Sequence, residues 1–199
     1  MSRLLLVRHG ESEWNAAQRW QGHHDVPLTP RGEEQAKRAG EQLRAMLAGQ
    51  EIHGLAASDL SRAHRTAEII GSALGVTRVH VDPRLRERHV GEWTGLTIDE
   101  VEAQYPGLPE LWRKNQLERI PGGESNSEVM ERVLAGLGDL VLRHPEPAWI
   151  VVVTHGGVIR LIEEHLGLAA NRIGNLCGRW LHMESGAFAA GEPFIVAEG

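Results

Sequence analysis

Leu4-Leu5-Leu6-Val7-Arg8-His9-Gly10-Glu11-Ser12 is the stretch whose reading decides the fold of this chain. Four apolar residues run directly into Arg-His-Gly, which predicts a buried strand ending in a tight turn with a guanidinium and an imidazole at its mouth. Residues Ile150 to Gly157 repeat the plan: an apolar strand, then Thr154-His155-Gly156-Gly157, then a helix from about Val158. In open α/β sheets, ligands bind just beyond the carboxyl ends of the strands. Two such strands, parallel and central, would deliver His9 and His155 to one end of the sheet, where helix N-termini favour an anion. One His-Gly alone would more readily be a hydrogen-bonded histidine at a strand end. Its duplication behind two apolar strands turns the reading toward a site.

Working outward, Thr29-Pro30-Arg31-Gly32-Glu33 reads as an N-cap, a proline at the first helical position and an acidic first turn. Ala36, Ala39, Leu43 and Leu47 follow at helical spacing. Gly54 to Ser58 predicts a second strand, and positions 60, 63, 67, 70 and 74 predict an amphipathic helix ending near Gly75. Val79 to Val81 suggests a third strand. Residues 82 to 125 are irregular and are read as an excursion over one end of the sheet. Ser125-Asn126-Ser127-Glu128 fits a capping box, opening a helix with Val129, Val133, Leu137, Leu140 and Val141 on its apolar stripe. Arg179 to Glu184 and Phe194 to Val196 are expected to finish the sheet. The alternation implies an α/β fold, a three-layer α/β/α sandwich with a mostly parallel central sheet.

The chain has 199 residues, 41% of them hydrophobic and 24% charged, which fits one globular domain over 1–199 with a real core. Its 21 Lys and Arg against 27 Asp and Glu give a net charge of −6, without a dense basic block. Nucleic acid is therefore not expected as a partner, because binding a phosphate backbone needs a basic footprint. A small anion needs only a local cluster of cations. Cys177 is the single cysteine, so no intramolecular disulfide can form, and a reducing compartment suits the composition. No run of 18 apolar residues and no signal-like opening is present, so a cytoplasmic protein without a membrane span is expected. A homodimer is left open.

Arg62 falls in the first turn of its helix, where the dipole disfavours a cation unless an anion shares the site. With this residue the motifs form an ordered set. Arg8-His9-Gly10-Glu11-Ser12 with Asn15, Ser58-Asp59-Leu60-Ser61-Arg62-Ala63 with Thr66-Ala67, and Leu85-Arg86-Glu87 with Gly91, Trp93 and Gly95 come first. Pro121-Gly122-Gly123-Glu124-Ser125 and Thr154-His155-Gly156-Gly157 follow. Together they resemble the histidine phosphatase superfamily, also called phosphoglycerate-mutase-like, from residue 4 to about 160.

That resemblance implies that His9 attacks phosphorus and carries a phosphohistidine. Such chemistry needs a neutral imidazole with one nitrogen held by a backbone acceptor. It implies that Arg8, Arg62, Asn15 and His155 hold the phosphoryl oxygens, with Gly156 beside them and Gln21 and Gly22 at the pocket rim. Glu87 would be the general acid and later the base. No cofactor or metal is implied, since charged clamps can do the work of a metal. His23-His24-Asp25 is read as a solvated loop, not a metal site. Trp14, Trp20 and Trp112 are read as packing, with Trp20 or Trp112 available to line a pocket, and Cys177 as a small buried side chain.

The implied substrate is a small phosphorylated metabolite. The short chain, Gly-Gly after His155 and Gly91-Glu92-Trp93-Thr94-Gly95 resemble the phosphatase branch, especially actinobacterial glucosyl-3-phosphoglycerate and broad-specificity phosphatases. Glu87-Arg88-His89 and the Arg8–Asn15 opening are closer to the mutases, so phosphoglycerate mutase is the alternative. An inactive binding or regulatory module is the remote one, as His9, Arg62, Glu87 and His155 are all present.

Overall fold

The opening stretch forms the strand β1 (Arg3–Arg8), whose Leu4 to Val7 are wholly buried. A computed structural model of the chain describes residues 1–114, 116–144, 147–169, 172–184 and 186–196. After β1 come a single turn of helix, α1 (Glu13–Ala16), and the long helix α2 (Pro30–Met46). Thr29 caps α2 as expected, its hydroxyl accepting from the Gly32 N–H at 3.0 Å. Strand β2 (Gly54–Ala57) leads into α3 (Ser61–Leu74), which ends on Gly75 in the left-handed conformation. Strand β3 is only His80–Val81.

The irregular stretch then holds two turns of 3-10 helix, at Pro83–Leu85 and Gly91–Trp93, and the short helices α4 (Ile98–Gln104) and α5 (Leu108–Arg113). Val90, Trp93, Val101 and Ile120 form a small apolar cluster there, with Trp20 and Trp112 packed against it. Helix α6 (Asn126–Leu142) starts on the expected capping box, and β4 (Trp149–Thr154) runs into α7 (Gly156–His165). The chain closes with β5 (Gly178–Glu184) and β6 (Ala187–Phe194).

The strands lie in the order β3-β2-β4-β1-β5-β6. β1, β4, β2 and β3 are mutually parallel; β5 runs antiparallel to β1, and β6 antiparallel to β5. Alternate residues of β1 serve opposite faces, as the pleat requires. Leu4 and Leu6 pack with α6 and α7 residues such as Val133, Leu137 and Ile159, while Leu5 and Val7 pack with Ala36, Leu43, Ala63 and Ile70 of α2 and α3. The result is the expected three-layer α/β/α sandwich.

Three expectations need correction. The last strand spans Ala187–Phe194 and not residues 194 to 196. Its sequence, Ala-Phe-Ala-Ala-Gly-Glu-Pro-Phe, lacks β-branched residues and carries Gly191 and Pro193, so only its position at the sheet edge makes it a strand. Helix α7 begins at Gly156, with His155 itself as the N-cap residue, two residues earlier than its apolar period suggests. His9 is followed by a loop and only then by the four-residue α1, so the two His-Gly ends are less alike than their sequences.

Candidate active site

The register of the two central strands places the histidines. Arg8 pairs with Thr154 across the β1–β4 ladder, and the His9 N–H donates to the Thr154 carbonyl at 3.0 Å. His9 and His155 therefore leave the sheet side by side. Their ring centroids are 5.1 Å apart in an edge-on contact at 63°. His9 Nδ1 lies 2.7 Å from the Gly10 carbonyl, which can only accept, so Nδ1 carries the proton and Nε2 keeps its lone pair. Burial, and then the neighbouring Arg62 and Arg8 guanidiniums, hold the His9 pKa well below 6.5. His155 is displaced in the same direction, by burial first and then by Arg62 and His9. Both imidazoles are neutral at neutral pH.

Cations converge on this pair. Arg8 directs Nη1 to the Ile173 carbonyl at 2.7 Å. Arg62, at the start of α3, is 1% exposed and donates to the carbonyls of His24 and Gly22, each at 2.8 Å. Gly22 takes a positive φ of 51°, so the loop can turn its carbonyl onto Arg62. Burial lowers the Arg62 pKa to about 10 against the opposing pull of Glu87 and Asp25, which leaves it charged at neutral pH. Among the described residues, Arg62 Nε and both ring nitrogens of His155 are buried without a hydrogen-bond partner. Desolvated polar groups of this kind, the Arg62 N–H and the one donor and one acceptor nitrogen of neutral His155, are costly unless a partner arrives for them.

Glu87 closes the other side. Its Oε1 accepts from the Arg88 N–H at 2.9 Å and its Oε2 from the Gly157 N–H at 3.1 Å, in the first turn of α7. It is not the surface carboxylate that pairing with Arg86 or Arg88 would make it. Arg86 binds Asp59, and the Arg88 guanidinium lies 4.3 Å over the Trp112 ring.

These groups line a cavity of about 670 Å³. Of the residues singled out from the sequence, Arg8, His9, Asn15, Gln21, Gly22, Arg62, Glu87 and Gly156 all face it. His155 does not; it is wholly buried and reached through its contact with His9. Asn15 is held by its capping box with Ser12 and by Asn175, whose Nδ2 also donates to the His9 carbonyl at 2.9 Å. Gln21 Oε1 accepts from Ser12 Oγ at 2.9 Å.

Sequence reasoning missed the arginines of the outer wall, Arg88, Arg113, Arg160 and Arg172, which join Trp20 and Trp112, read as available to line a pocket, and Trp14, read only as packing. Arg160 was findable, because it lies one helical turn beyond Gly156. Arg172 sits in a stretch without motif or period. Among the described lining residues, seven arginines face one carboxylate, Glu87, so an acidic chain carries a strongly positive cavity.

The histidine loop is not simply solvated. His23 Nε2 lies 2.7 Å from the Glu87 carbonyl, His24 stacks on Trp14, and Asp25 accepts from the Ser61 N–H at 2.7 Å. Cys177 is half-buried rather than buried. Among the described residues no cluster of three His, Cys, Asp or Glu could hold a metal, and no helix is long and apolar enough to cross a membrane.

The family model of the histidine phosphatase superfamily (branch 1) matches residues 4–189. The "Probable phosphoglycerate mutase GpmB" of Erwinia tasmaniensis is 42% identical over 177 residues, covering 86% of this chain and 78% of its own. "Phosphoglycerate mutase-like protein 4" of Arabidopsis thaliana is 39% identical, covering 85% of this chain and 73% of its own. Among solved structures, the mycobacterial glucosyl-3-phosphoglycerate phosphatase in complex with VO3 is 33% identical with a TM-score of 0.85, covering 100% of both chains.

Proposed function

This chain belongs to the histidine phosphatase superfamily, and from that premise we propose that it hydrolyses a small phosphorylated metabolite, a sugar phosphate or phosphoglycerate derivative, through a phosphohistidine on His9. The observation that carries this reading is the single free lone pair on His9 Nε2, inside a cavity walled by Arg8 and Arg62. Nε2 attacks phosphorus, the N–P bond forms, and the bond from phosphorus to the ester oxygen breaks. The proton of Glu87 goes to the departing alkoxide. In the second half, water attacks the phosphohistidine, its proton passes to Glu87, and orthophosphate leaves with His9 restored.

Arg8, Arg62 and Asn15, which line the cavity, hold the equatorial oxygens, where charge is spread in the transition state, and His155, buried beside His9, is a further donor to an oxygen seated against that ring. The donors left over on Arg62 and His155 are the ones such oxygens would engage. The neutrality of His9 suits attack, and the two backbone N–H groups on Glu87 steady its anionic state between the half-reactions.

Phosphatase structures matched from end to end support water as the acceptor. The relatives named as mutases support the other outcome, in which the phosphoryl group returns to a bound sugar acid. One assay separates them. With 3-phosphoglycerate and its bisphosphate primer, release of orthophosphate without isomerisation fits the phosphatase; isomerisation with negligible release replaces it with the mutase. Hydrolysis of p-nitrophenyl phosphate by the wild type and not by His9→Ala tests the enzyme reading itself. No wild-type turnover on any phosphomonoester would leave the binding-module alternative.

A further inference from the structure

The segment that carries Glu87 is not part of the sheet. Residues 86 to 90 adopt no regular secondary structure, yet the carboxyl they present must sit against Gly157 and face His9. Four consecutive carbonyls, those of residues 84 and 85 in the turn before this ribbon and of 86 and 87 within it, are each taken by a side chain from elsewhere. Arg132 Nη1 donates to the Arg84 and Arg86 carbonyls at 2.8 and 2.7 Å, and Arg132 Nη2 to the Glu87 carbonyl at 2.9 Å. Thr154 Oγ1, at the end of β4, donates to the Leu85 carbonyl at 2.8 Å. His23 Nε2 reaches the Glu87 carbonyl from the other side at 2.7 Å.

Arg132 is aimed by Glu124. Its Nε donates to Glu124 Oε1 and its Nη2 to Oε2, both at 2.8 Å, in the two-pronged geometry that fixes a guanidinium plane. The same carboxylate accepts from the His89 N–H at 2.8 Å, and the Glu124 N–H donates back to the His89 carbonyl at 2.9 Å. Burial alone would raise the Glu124 pKa, but hydrogen bonds from His23, Arg132 and the His89 N–H hold it well below the usual carboxylate range. Glu124 thus stays anionic and Arg132 stays aimed. Both lie on or just before α6, whose capping box anchors the helix start.

We propose that Arg132, oriented by Glu124, is a positioning residue that sets the Glu87 carboxyl for proton transfer by clamping the carbonyls of residues 84, 86 and 87. It touches neither substrate nor reacting atoms. It replaces the strand ladder that orients His9. A proton donor displaced by about 1 Å loses much of its rate contribution, so the clamp is legible in kinetics. The inference rests on the proposed role of Glu87 and is tested so that the two can fail separately.

The readout is leaving-group dependence. An activated aryl ester, p-nitrophenyl phosphate, needs little proton donation, whereas glycerol 2-phosphate expels an alkoxide that does. Arg132→Met is expected to lower kcat/KM, which reports the phosphorylation half alone, by about 100-fold on glycerol 2-phosphate and by less than about 10-fold on p-nitrophenyl phosphate. Arg132→Lys keeps the charge beside Glu124 but cannot span three carbonyls, so it should show the same split; it decides the matter if Arg132→Met does not fold. Glu124→Gln should show a weaker split. Equal losses on both esters, or no loss, in the folded Arg132 variants would overturn the proposal. Glu87→Gln, run alongside, must show the split for Glu87 to be the acid; if it shows none, the role of Glu87 fails first.

Discussion

The two sides of the proposed catalytic cavity are built by different means. On the side of the proposed nucleophile, His9 is the next residue after a six-residue parallel ladder, and backbone hydrogen bonds run up to its own N–H. On the side of the proposed acid, Glu87 sits on a ribbon without strand partners, held through carbonyls by Arg132, Thr154 and His23. A ladder is specified by a run of apolar residues and positions whatever follows it. A ribbon held by side chains depends on particular residues far away in sequence. Damage on the first side should therefore abolish the reaction, and damage on the second should detune it.

The largest expected effect tests the first half of that contrast. His9→Ala removes the nucleophile and should lower kcat by about 10⁴-fold or more, with the folded state retained, as followed by phosphate release and circular dichroism. Glu87→Gln should cost about 10²- to 10⁴-fold on an alkyl ester. It should also flatten one limb of the pH–rate profile, and an unchanged profile would remove Glu87 from the mechanism. The acidic limb belongs to His9, whose pKa is depressed, and should lie well below pH 6.5 in the wild type and in Glu87→Gln. A limb near 6.5 would mean that the nucleophile is not the buried imidazole.

Gly157→Ala is a finer probe. A methyl group there would land against Glu87 Oε1, while α7 would gain a better helix former. Activity on an alkyl ester is expected to fall by about 10-fold with Tm unchanged or raised, since a shift of about 1 Å at the donor is enough. Loss of stability in step with activity would say that the glycine serves packing alone.

The smallest effect concerns stability. His9 and His155 are buried and neutral with folded pKa values well below 6.5, so below that pH the unfolded chain binds more protons. Stability is full above pH 6.5 and falls as pH drops beneath it, by about 1.4 kcal/mol per pH unit for each group until the buried imidazole itself protonates. Chemical denaturation of the wild type and of His155→Asn between pH 5 and 7 should show a shallower fall in the variant.

The same contrast explains what was legible in the sequence. β1 and β4 were readable because four-residue apolar runs ending in His-Gly say both where a strand stops and which residue it presents. The α2 and α6 starts were readable because Thr29-Pro30 and Ser125-x-x-Glu128 satisfy orphan N–H groups locally. Arg132 was not, because it looks like any polar residue on a helix face until its three carbonyl partners are assembled. β6 was misplaced because its pairing with β5, and not its own propensity, makes it a strand. The outer arginines Arg160 and Arg172 meet only in the folded cavity. The apolar pattern thus reaches the residues that the ladder presents; Glu87 on the ribbon is named only through the family resemblance, and Arg132, which holds that ribbon, by neither.

The most direct measurement is capture of the intermediate. The wild-type enzyme is mixed with a phosphomonoester, quenched in alkali within the first turnover and analysed by 31P NMR and peptide mass spectrometry. The account predicts a base-stable, acid-labile phosphoramidate on His9 Nε2, absent from His9→Ala and accumulating further in Glu87→Gln with an aryl ester. Phosphate on another residue, or turnover without any phosphoenzyme, would contradict it.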